Sequence, residues 1–323
     1  MRKYNHLFII DPIETLNLEL DTTLRYAHQL QLLGDSVSFA TPDNLSLSSK
    51  CGATCLASEA KSLDITQNSL SLGEVKGMNL KDFSAIHMRK DPPFDMDYVS
   101  WTWILDVVAK DVPVFNHPES LRNFNEKLSI LSFPEYIDPV LISSQSVEII
   151  KFIRNTPLAR GIIKPLDLFG GRGVSKIDLN EPNSEDKATD LINDITNSGN
   201  RLILAQPFNE EIKNGEIRAF SAFGQPLAWC LKRPKPGSYL ANTREGAILE
   251  EFQPPSEIVE MVKSVSMDLL EKQIYFVGFD IIGDRISELN ITSPRLLLAG
   301  NDLDSENEIY LQMAELTKSF LGS

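Results

Sequence analysis

The sequence contains few cysteines and few histidines. Its three cysteines are Cys51, Cys55 and Cys230. Their odd number does not suit a disulfide framework, and the spacing of the first two does not suit a zinc pair, so we expect reduced thiols in a cytoplasmic protein. The four histidines are scattered and match no metal-binding spacing.

Long hydrophobic runs and excess basic charge are also missing. No apolar stretch approaches the roughly 20 residues of a membrane-spanning helix, and we expect no signal peptide. The chain has 31 basic and 45 acidic residues, a net charge of −14. This balance argues against nucleic acid or an anionic membrane as the main partner, because both bind basic surfaces.

Several common catalytic and nucleotide-binding motifs are absent. The sequence has neither the G-x-G-x-x-G motif of dinucleotide-binding proteins nor the G-x-x-x-x-G-K-[ST] motif of P-loop proteins. It also shows no Ser/His/Asp or Cys/His arrangement, so it does not predict catalysis by a side-chain nucleophile.

What the sequence does contain indicates a globular protein of two or three domains, since 323 residues are 42% hydrophobic and 24% charged. A strand–helix–strand pattern at the N-terminus predicts a parallel α/β unit, and residues 43–80 read as irregular. The later pattern is α+β. The predicted strands are 6–10, 36–40, 85–88, 161–165, 202–206, 217–223 and 227–231, and the predicted helices are 21–33, 147–154, 185–197, 256–272 and 307–321.

The segment 276–294 predicts an apolar hairpin that carries three oxygen-bearing side chains. Glu288 and Asn290 are two residues apart, so they share a face of the second strand. Asp280 joins them if residues 283–285 form a three-residue loop, whereas a two-residue loop would place it on the other face. Such oxygen ligands suit Mg²⁺. A polar outer face on a half-buried hairpin explains the same residues.

Other polar residues form a candidate phosphate-binding set. Lys164 ends a predicted strand before a loop with Gly170, Gly171 and Gly173, whose backbone N–H groups would approach an anion closely. Taken alone, this loop is better explained as a plain turn. Lys127, on a predicted helix, also belongs to this set, and its ordinary alternative is a solvated lysine. Glu216 and Arg218 share a strand face and belong to it as well, and their ordinary alternative is an exposed ion pair of little energetic value.

Taken in order along the chain, these parts resemble the ATP-grasp fold, and more narrowly the bacterial glutathione synthetases. The resemblance runs from residue 6 to about residue 294. It rests on long sequence motifs, which are Asp11-Pro12-Ile13, Met88–Asp95, Ser120–Arg122, Asn125–Leu128, Lys164–Asp167, Gly170-Gly171, Ala205-Gln206, Ile212–Gly215 and Phe276–Pro294.

The resemblance implies a fold, a reaction and a set of site residues. The fold is ATP-grasp with an N-terminal Rossmann-like domain, divided into residues 1–122, 123–205 and 206–323. The reaction is an ATP-dependent carboxylate–amine ligation on small peptide or amino-acid substrates, and the chain is compatible with a homo-oligomer. For ATP, the resemblance implies phosphate binding by Lys127, Lys164, Gly170, Gly171 and Gly173, adenine contact by the strand ending at Gln206, and ribose binding by Glu216. It implies catalytic roles for Arg218 and Lys164, and two Mg²⁺ ions bound by Asp280, Glu288 and Asn290. The residues implied in substrate binding are Arg89, Asn242 and Arg244.

Three segments depart from the family pattern, and all fall near substrate-facing regions. The segment 234–246 replaces an Arg- and Gly-rich loop, residues 295–300 are mostly apolar where the family is polar, and residues 19–21 replace a Lys-Lys-Asp sequence. Arg244 matches one family arginine of the first loop, and the other has no clear counterpart. The family resemblance makes glutathione formation from γ-glutamylcysteine and glycine the leading hypothesis. The alternatives are a ligase for another acid and amine, and a non-catalytic nucleotide-binding regulatory protein.

Overall fold

The computed structural model describes residues 2–65, 67–168, 170–299 and 303–323, apart from the side chains of residues 244 and 303–306. Its helices pack on three separate sheets, one mixed and two antiparallel. The mixture of parallel α/β and α+β units confirms the predicted fold class.

The first sheet contains seven strands, which with their helices occupy the N-terminal third of the chain. Its parallel part has the order β2-β1-β6-β7, which is the predicted Rossmann-like unit. The elements are β1 (Asn5–Ile9), α1 (Thr22–Leu32), β2 (Ser36–Ala40), β3 (Leu45–Ser48), β4 (Gly52–Asp64), β5 (Ser69–Asn79), β6 (Ala85–Met88), α2 (Met96–Ala109), β7 (Val114–Phe115) and α3 (Pro118–Asn123).

The prediction that residues 43–80 are irregular is wrong. Three antiparallel strands, β3, β4 and β5, extend the sheet from β2. Two register shifts, between Ser58 and Ala60 and between Ala60 and Ser62, interrupt the alternation of buried and exposed side chains along β4. A period-two pattern is the main sequence signal of a strand, and here bulges and many serines obscure it.

The second sheet has the order β10-β9-β11-β8 and is antiparallel throughout. Its elements match the sequence prediction to within a few residues at each end, with β8 and β10 added. They are β8 (Leu141–Ser143), α4 (Ser146–Arg154), β9 (Arg160–Pro165), β10 (Ser175–Asp178), α5 (Ser184–Ile195) and β11 (Ile203–Pro207). The predicted domain boundary after residue 205 falls within β11, and the division into three domains stays a prediction.

The third sheet has the order β14-β13-β12-β15-β16. Its inner face packs on α6, where Val262 and Leu269 meet Phe279 and Leu289 in one buried cluster. The opposite face of its central strands therefore remains available for polar side chains. The elements are β12 (Glu216–Ala222), β13 (Gln225–Arg233), β14 (Ile248–Glu251), α6 (Ser256–Glu271), β15 (Phe276–Ile282), β16 (Arg285–Asn290) and α7 (Leu303–Gly322).

The C-terminal helix α7 returns to the N-terminal sheet. Tyr26 of α1 shares a hydrogen bond of 2.6 Å with Thr317, and Lys318 forms an ion pair with the buried Asp35. These contacts fasten the C-terminal helix to the N-terminal unit. Within the residues that the structure describes, no helix combines the length and the apolar character needed to cross a membrane.

Candidate active site

One cavity collects most of the residues that the sequence singles out. It lies where the second and third sheets face each other, with Asp91 and Pro92 from the N-terminal unit at its margin. Its lining is strongly charged. Acidic and basic side chains from distant parts of the sequence meet there, namely Glu126, Lys127, Lys164, Glu216, Arg218, Lys232, Asp280 and Glu288.

The hairpin of β15 and β16 brings Asp280 opposite Glu288. The turn has two residues, Gly283 and Asp284, because Ile282 pairs directly with Arg285. The prediction that a two-residue turn would send Asp280 to the other face is therefore wrong. The register shifts between Asp280 and Ile281, where Ser287 is the extra residue of a β-bulge, and the bulge returns both carboxylates to one face.

Asp280 is surrounded by hydrogen-bond donors. Arg218 Nη1 lies 3.2 Å from both of its oxygens, Lys232 Nζ lies 2.6 Å from Oδ1, and Asn290 Nδ2 lies 3.0 Å from Oδ2. Burial alone would raise the pKa of Asp280, but Lys232 and Arg218 hold the pKa far below its usual range. The carboxylate therefore stays ionised at neutral pH.

Arg218 is held in a narrow space on the third sheet. Its Nη2 donates to the carbonyl oxygen of Arg295 at 3.2 Å, and its buried Nε has no partner among the described residues. Gly278 lies beneath the guanidinium, and a Cβ at that position would come within 2.6 Å of Nη2. Glycine at 278 thus leaves the space that Arg218 occupies, and the unpaired Nε gives the guanidinium a free donor at the site.

Lys232 is a residue of this site that the sequence analysis missed. It lies on β13 directly opposite Glu216 on β12, and its ammonium contacts both Glu216 and Asp280. Burial alone would lower the pKa of Lys232, but Asp280 and Glu216 raise it instead. Burial raises the pKa of Glu216 to about 7, against the opposing effect of Lys232. Both strands were predicted, and the register in which they pair would have been the signal that places Lys232 opposite Glu216.

Lys127 and Lys164 approach the other carboxylate of the hairpin. Lys127 Nζ lies 3.2 Å from Glu288 Oε1, and it also donates to the carbonyl oxygen of Leu168. Lys164 Nζ lies 3.4 Å from the carbonyl oxygen of Ser287. Burial lowers the pKa of Lys164, and the neighbouring Glu288 opposes that shift. Both lysines are buried and point into the cavity, as their predicted role requires.

Glu126 fixes the end of the hairpin, a role that the sequence did not reveal. Its Oε1 accepts hydrogen bonds from the backbone N–H groups of Ile291 and Thr292 at 2.8 and 3.0 Å, and from the Thr292 hydroxyl at 2.9 Å. Leu289 N–H donates to the Glu126 carbonyl oxygen at 3.0 Å. The segment that carries Lys127 is thereby fastened to the strand that carries Glu288 and Asn290.

Two loops cover the cavity. Gly170, Gly171 and Gly173 have φ angles of 63°, 76° and 70°, a region that side chains with a Cβ rarely adopt. Gly170 and Gly171 line the cavity, whereas Gly173 packs behind the loop against Pro165. Asn242 of the segment 234–246 lines the cavity as well, and its amide donates to the Gly170 carbonyl oxygen. The two loops are therefore in contact.

The remaining predicted residues occupy different positions. Gln206 is buried at the cavity wall, on β11. Arg89 is 5% exposed and lies behind the wall, where it donates to the Thr23 hydroxyl and to the Pro294 carbonyl oxygen, each at 3.0 Å. It supports the segment after the hairpin, and its role toward a substrate stays a prediction. The side chain of Arg244 lies outside the described residues.

The oxygen atoms on the hairpin suit a hard cation. Asp280 and Glu288 supply carboxylate oxygens, and Asn290 uses its Nδ2 for Asp280 and for the Gly278 carbonyl oxygen, at 3.0 and 3.3 Å. This orientation leaves the amide oxygen of Asn290 available as a ligand. Among the described residues, no group of three or more His, Cys, Asp or Glu side chains is arranged to hold a metal. The donor set therefore fits Mg²⁺, which shares its shell with phosphate and water, better than Zn²⁺.

Comparison with known families covers nearly the whole chain. Residues 4–122 match the N-terminal domain of prokaryotic glutathione synthetase, and residues 126–302 match the ATP-grasp domain of prokaryotic glutathione synthetase.

Curated relatives agree with this result. The chain is 34% identical over 292 residues to the glutathione synthetase of Yersinia pestis, covering 88% of each protein. It is 32% identical over 306 residues to that of Coxiella burnetii, covering 92% of each. It is also 32% identical over 292 residues to that of Vibrio parahaemolyticus, covering 88% of this chain and 89% of the relative.

Solved structures share the fold at low sequence identity. The D-cycloserine synthetase DcsG superposes with a TM-score of 0.66 at 12% identity, covering 98% of this chain and 99% of that one. The ATP-grasp ligase PsnB superposes with a TM-score of 0.60 at 13% identity, covering 97% and 98%. These likenesses confirm the ATP-grasp fold.

Proposed function

Because this chain belongs to the prokaryotic glutathione synthetase family, we propose that it forms glutathione from γ-glutamylcysteine and glycine. The chain is an ATP-dependent carboxylate–amine ligase that releases ADP. The observation that best supports the proposal is the single cavity in which Lys127, Lys164 and Arg218 face the hairpin carboxylates Asp280 and Glu288.

The reaction would have two steps, both carried by ATP and the substrates. The carboxylate of the acid substrate attacks the γ-phosphate of ATP and gives an acyl-phosphate and ADP. The amine then attacks the acyl carbon, and inorganic phosphate leaves as the amide bond forms. The chain supplies no nucleophile to either step.

The residues of the cavity would work by positioning and by charge neutralisation. Lys127, Lys164 and Arg218 bring three cationic groups to one space, where they would bind the phosphates and the negative charge that spreads during phosphoryl transfer. Their burial strengthens this effect, since water screens them little. Glu216 would accept hydrogen bonds from the ribose, and the backbone of β11 near Gln206 would contact the adenine.

Members of this family use ATP and Mg²⁺. We propose that Asp280, Glu288 and Asn290 hold two Mg²⁺ ions together with the phosphates. When bound, the metal would withdraw charge from the transferred phosphoryl group. Asp91 also faces the cavity, where burial and the nearby Asp11 raise its pKa, and we assign it no role in metal binding.

A panel of acids and amines, scored by ADP release, tests the proposal. We expect ATP turnover that requires γ-glutamylcysteine and glycine together. Turnover with another pair alone would favour the second candidate, a ligase of the same fold with different substrates. The structure offers one observation for that candidate, since Leu297 places an apolar side chain in the cavity wall.

Substrate selection should differ from that of a typical family member. The chain lacks a clear match for one loop arginine, and arginine binds carboxylates by paired hydrogen bonds that other residues do not reproduce. Of the three leucines after Arg295, Leu296 is in the core and Leu297 lines the cavity. One lost charge-assisted bond would lower kcat/KM for γ-glutamylcysteine by about ten- to a hundredfold, or shift the preference to a less polar acid.

This prediction is checked by measuring kcat/KM in parallel with the Yersinia pestis relative. A Leu297→Thr variant, which removes apolar surface from the wall, should reduce the difference. Equal efficiency of the two wild-type enzymes would show that Arg244, Arg295 or their neighbours restore the missing contact.

The segments 166–174 and 234–246 should act as lids that open for substrate exchange. Both contain glycine or proline and lack a periodic apolar face, and segments of low local stability suit this role. We expect their amide hydrogen exchange to slow when ATP binds, because Asn242 links one loop to the other across the nucleotide site. Helix α6, which packs on the far side of the third sheet, is the internal control. Unchanged exchange in both segments would contradict a lid role.

We further infer a cytoplasmic location and keep a homo-oligomer as a prediction. The three cysteines are unpaired, and two of them are buried, which suits a reducing compartment. Small peptides or amino acids are the expected partners, and neither nucleic acid nor a membrane surface is expected to bind a chain of net charge −14.

A further inference from the structure

Lys232 lies where its ammonium would compete with a metal ion for Asp280. This inference rests on the proposed function, in which Asp280 binds Mg²⁺. The Lys232 ammonium is buried between two carboxylates, and it lies 2.6 Å from Oδ1 of Asp280. In the proposed function, Asp280 is one of the ligands of the two Mg²⁺ ions. A divalent cation and the ammonium would therefore compete for the same carboxylate.

Asp280 already accepts hydrogen bonds from three side chains, two of them cationic. Arg218 lies 3.2 Å from both oxygens, and Asn290 lies 3.0 Å from Oδ2. Two cationic side chains already neutralise this one carboxylate. A metal ion gains little by approaching unless one of them leaves, because like charges at this distance repel.

Lys232 is the group that is able to leave. Arg218 is anchored by the Arg295 carbonyl oxygen and fits over Gly278, so its guanidinium has little room to move. Lys232 instead has a second carboxylate, Glu216, directly opposite it on the neighbouring strand β12. Its flexible stem lets the ammonium keep this ion pair while it releases Asp280.

The Glu288 side of the hairpin differs from the Asp280 side. Among the described residues, Glu288 forms an ion pair with one cation, Lys127, at 3.2 Å, and its side chain is 19% exposed. Lys164 lies nearby and hydrogen-bonds the Ser287 carbonyl oxygen instead. Lys127 also has the Leu168 carbonyl oxygen as a partner. A cation that binds Glu288 and the amide oxygen of Asn290 thus meets less competition than one that binds Asp280.

We propose that Lys232 is a built-in competitor for the second cation, so that metal binding at Asp280 proceeds by displacement of its ammonium toward Glu216. The two cations of this site are consequently unequal. The first binds at Glu288 and Asn290, and the second binds more weakly at Asp280.

Titration with Mn²⁺, followed by the electron paramagnetic resonance signal of the free ion, tests this inference without measuring activity. The protein is saturated with a non-hydrolysable ATP analogue, and a titration of the analogue alone is subtracted. We expect two Mn²⁺ ions per chain whose Kd values differ by at least about tenfold. Two ions of equal affinity in the wild-type protein would overturn the inference.

Variants separate the effect of Lys232 from a general change in charge. Lys232→Met should tighten the weaker Mn²⁺ by about ten- to a hundredfold, because Asp280 loses its competitor. Lys232→Arg keeps the charge and should preserve the inequality. Lys81→Met removes a lysine from an exposed ion pair with Asp111 and should leave both Kd values unchanged. An unchanged weaker Kd in Lys232→Met would contradict the displacement.

The same titration distinguishes this inference from the function on which it rests. If Mn²⁺ fails to bind in the presence of the nucleotide, the metal site itself is refuted, and the role of Lys232 with it. If two unequal ions bind but the protein does not ligate γ-glutamylcysteine and glycine, the substrate assignment fails and the inference holds. If Lys232→Met does not fold, the wild-type and Lys232→Arg titrations still decide the question.

Discussion

Glu288→Gln is expected to reduce ligase turnover by about a hundredfold or more while the protein remains folded. Glutamine keeps the size of the side chain but removes the charge that faces Mg²⁺, and metal ions supply several kcal/mol of stabilisation in phosphoryl transfer. Glu288 lies at the centre of the hairpin face, opposite Asp280 and next to Lys127. The measurement is the steady-state rate of ADP release at saturating substrates.

The fold should tolerate this change. Lys127 keeps its hydrogen bond to Leu168, and the backbone pairing of the hairpin does not use the Glu288 side chain. Glu250→Gln is a matched control, because it makes the same substitution and breaks a surface ion pair with Arg233 on β13. We expect thermal unfolding of both variants to resemble wild type and only Glu288→Gln to lose activity. Near-normal turnover in Glu288→Gln would refute its assignment as a metal ligand.

Gly278→Ala is expected to lower kcat by about ten- to a hundredfold through Arg218. A Cβ at position 278 would lie 2.6 Å from Arg218 Nη2 and 2.8 Å from its Cζ, so the guanidinium must move. It would then lose its contacts with Asp280 and with the Arg295 carbonyl oxygen. One charge-assisted hydrogen bond is worth about 1.5–3 kcal/mol, which corresponds to this loss in rate.

Gly77→Ala is the control for glycine replacement in a strand. Gly77 lies on β5, and a Cβ there would meet no atom within 4 Å. It should leave kcat unchanged. If Gly278→Ala also keeps wild-type kcat, the position of Arg218 over the glycine does not matter for the reaction.

The substrate panel and these two variants address different parts of the site. Glu288 and Arg218 belong to the proposed phosphate side, where the sequence motifs match the family. The segments 234–246 and 295–299 belong to the proposed substrate side, where the sequence departs from it. Loss of activity in Glu288→Gln would therefore support phosphoryl transfer without identifying the acid or the amine.

Much of the phosphate side was predictable because its signals are local. Glu288 and Asn290 share a face since strand side chains alternate, and this holds in the structure. Lys164 ends a strand before a glycine-rich loop, and those glycines do adopt positive φ angles. The parallel core of the first sheet followed from the alternation of strands and a helix, which is also visible within a short window.

The predictions of secondary structure and of side-chain face that were wrong concern places where a local sequence pattern is interrupted. Residues 43–80 form three strands, but the bulges near Ala60 break the period-two alternation along β4. The turn of the hairpin has two residues, yet the bulge at Ser287 restores the face that a three-residue turn would have given. A bulge depends on the pairing of a whole strand with its neighbour, so its position is hard to read from one strand alone.

The sequence by itself determined the family, the ATP-grasp fold and the identity of the hairpin carboxylates, because long motifs and strand periodicity carry that information along the chain. Only the tertiary structure decided that Lys232 lies between Glu216 and Asp280, that Glu126 fastens the end of the hairpin, and that Arg89 stands behind the cavity wall. These contacts join residues 16 to 205 positions apart, on different strands or in different parts of the fold. Their geometry depends on strand register and on the packing of separate sheets, which no short stretch of sequence specifies.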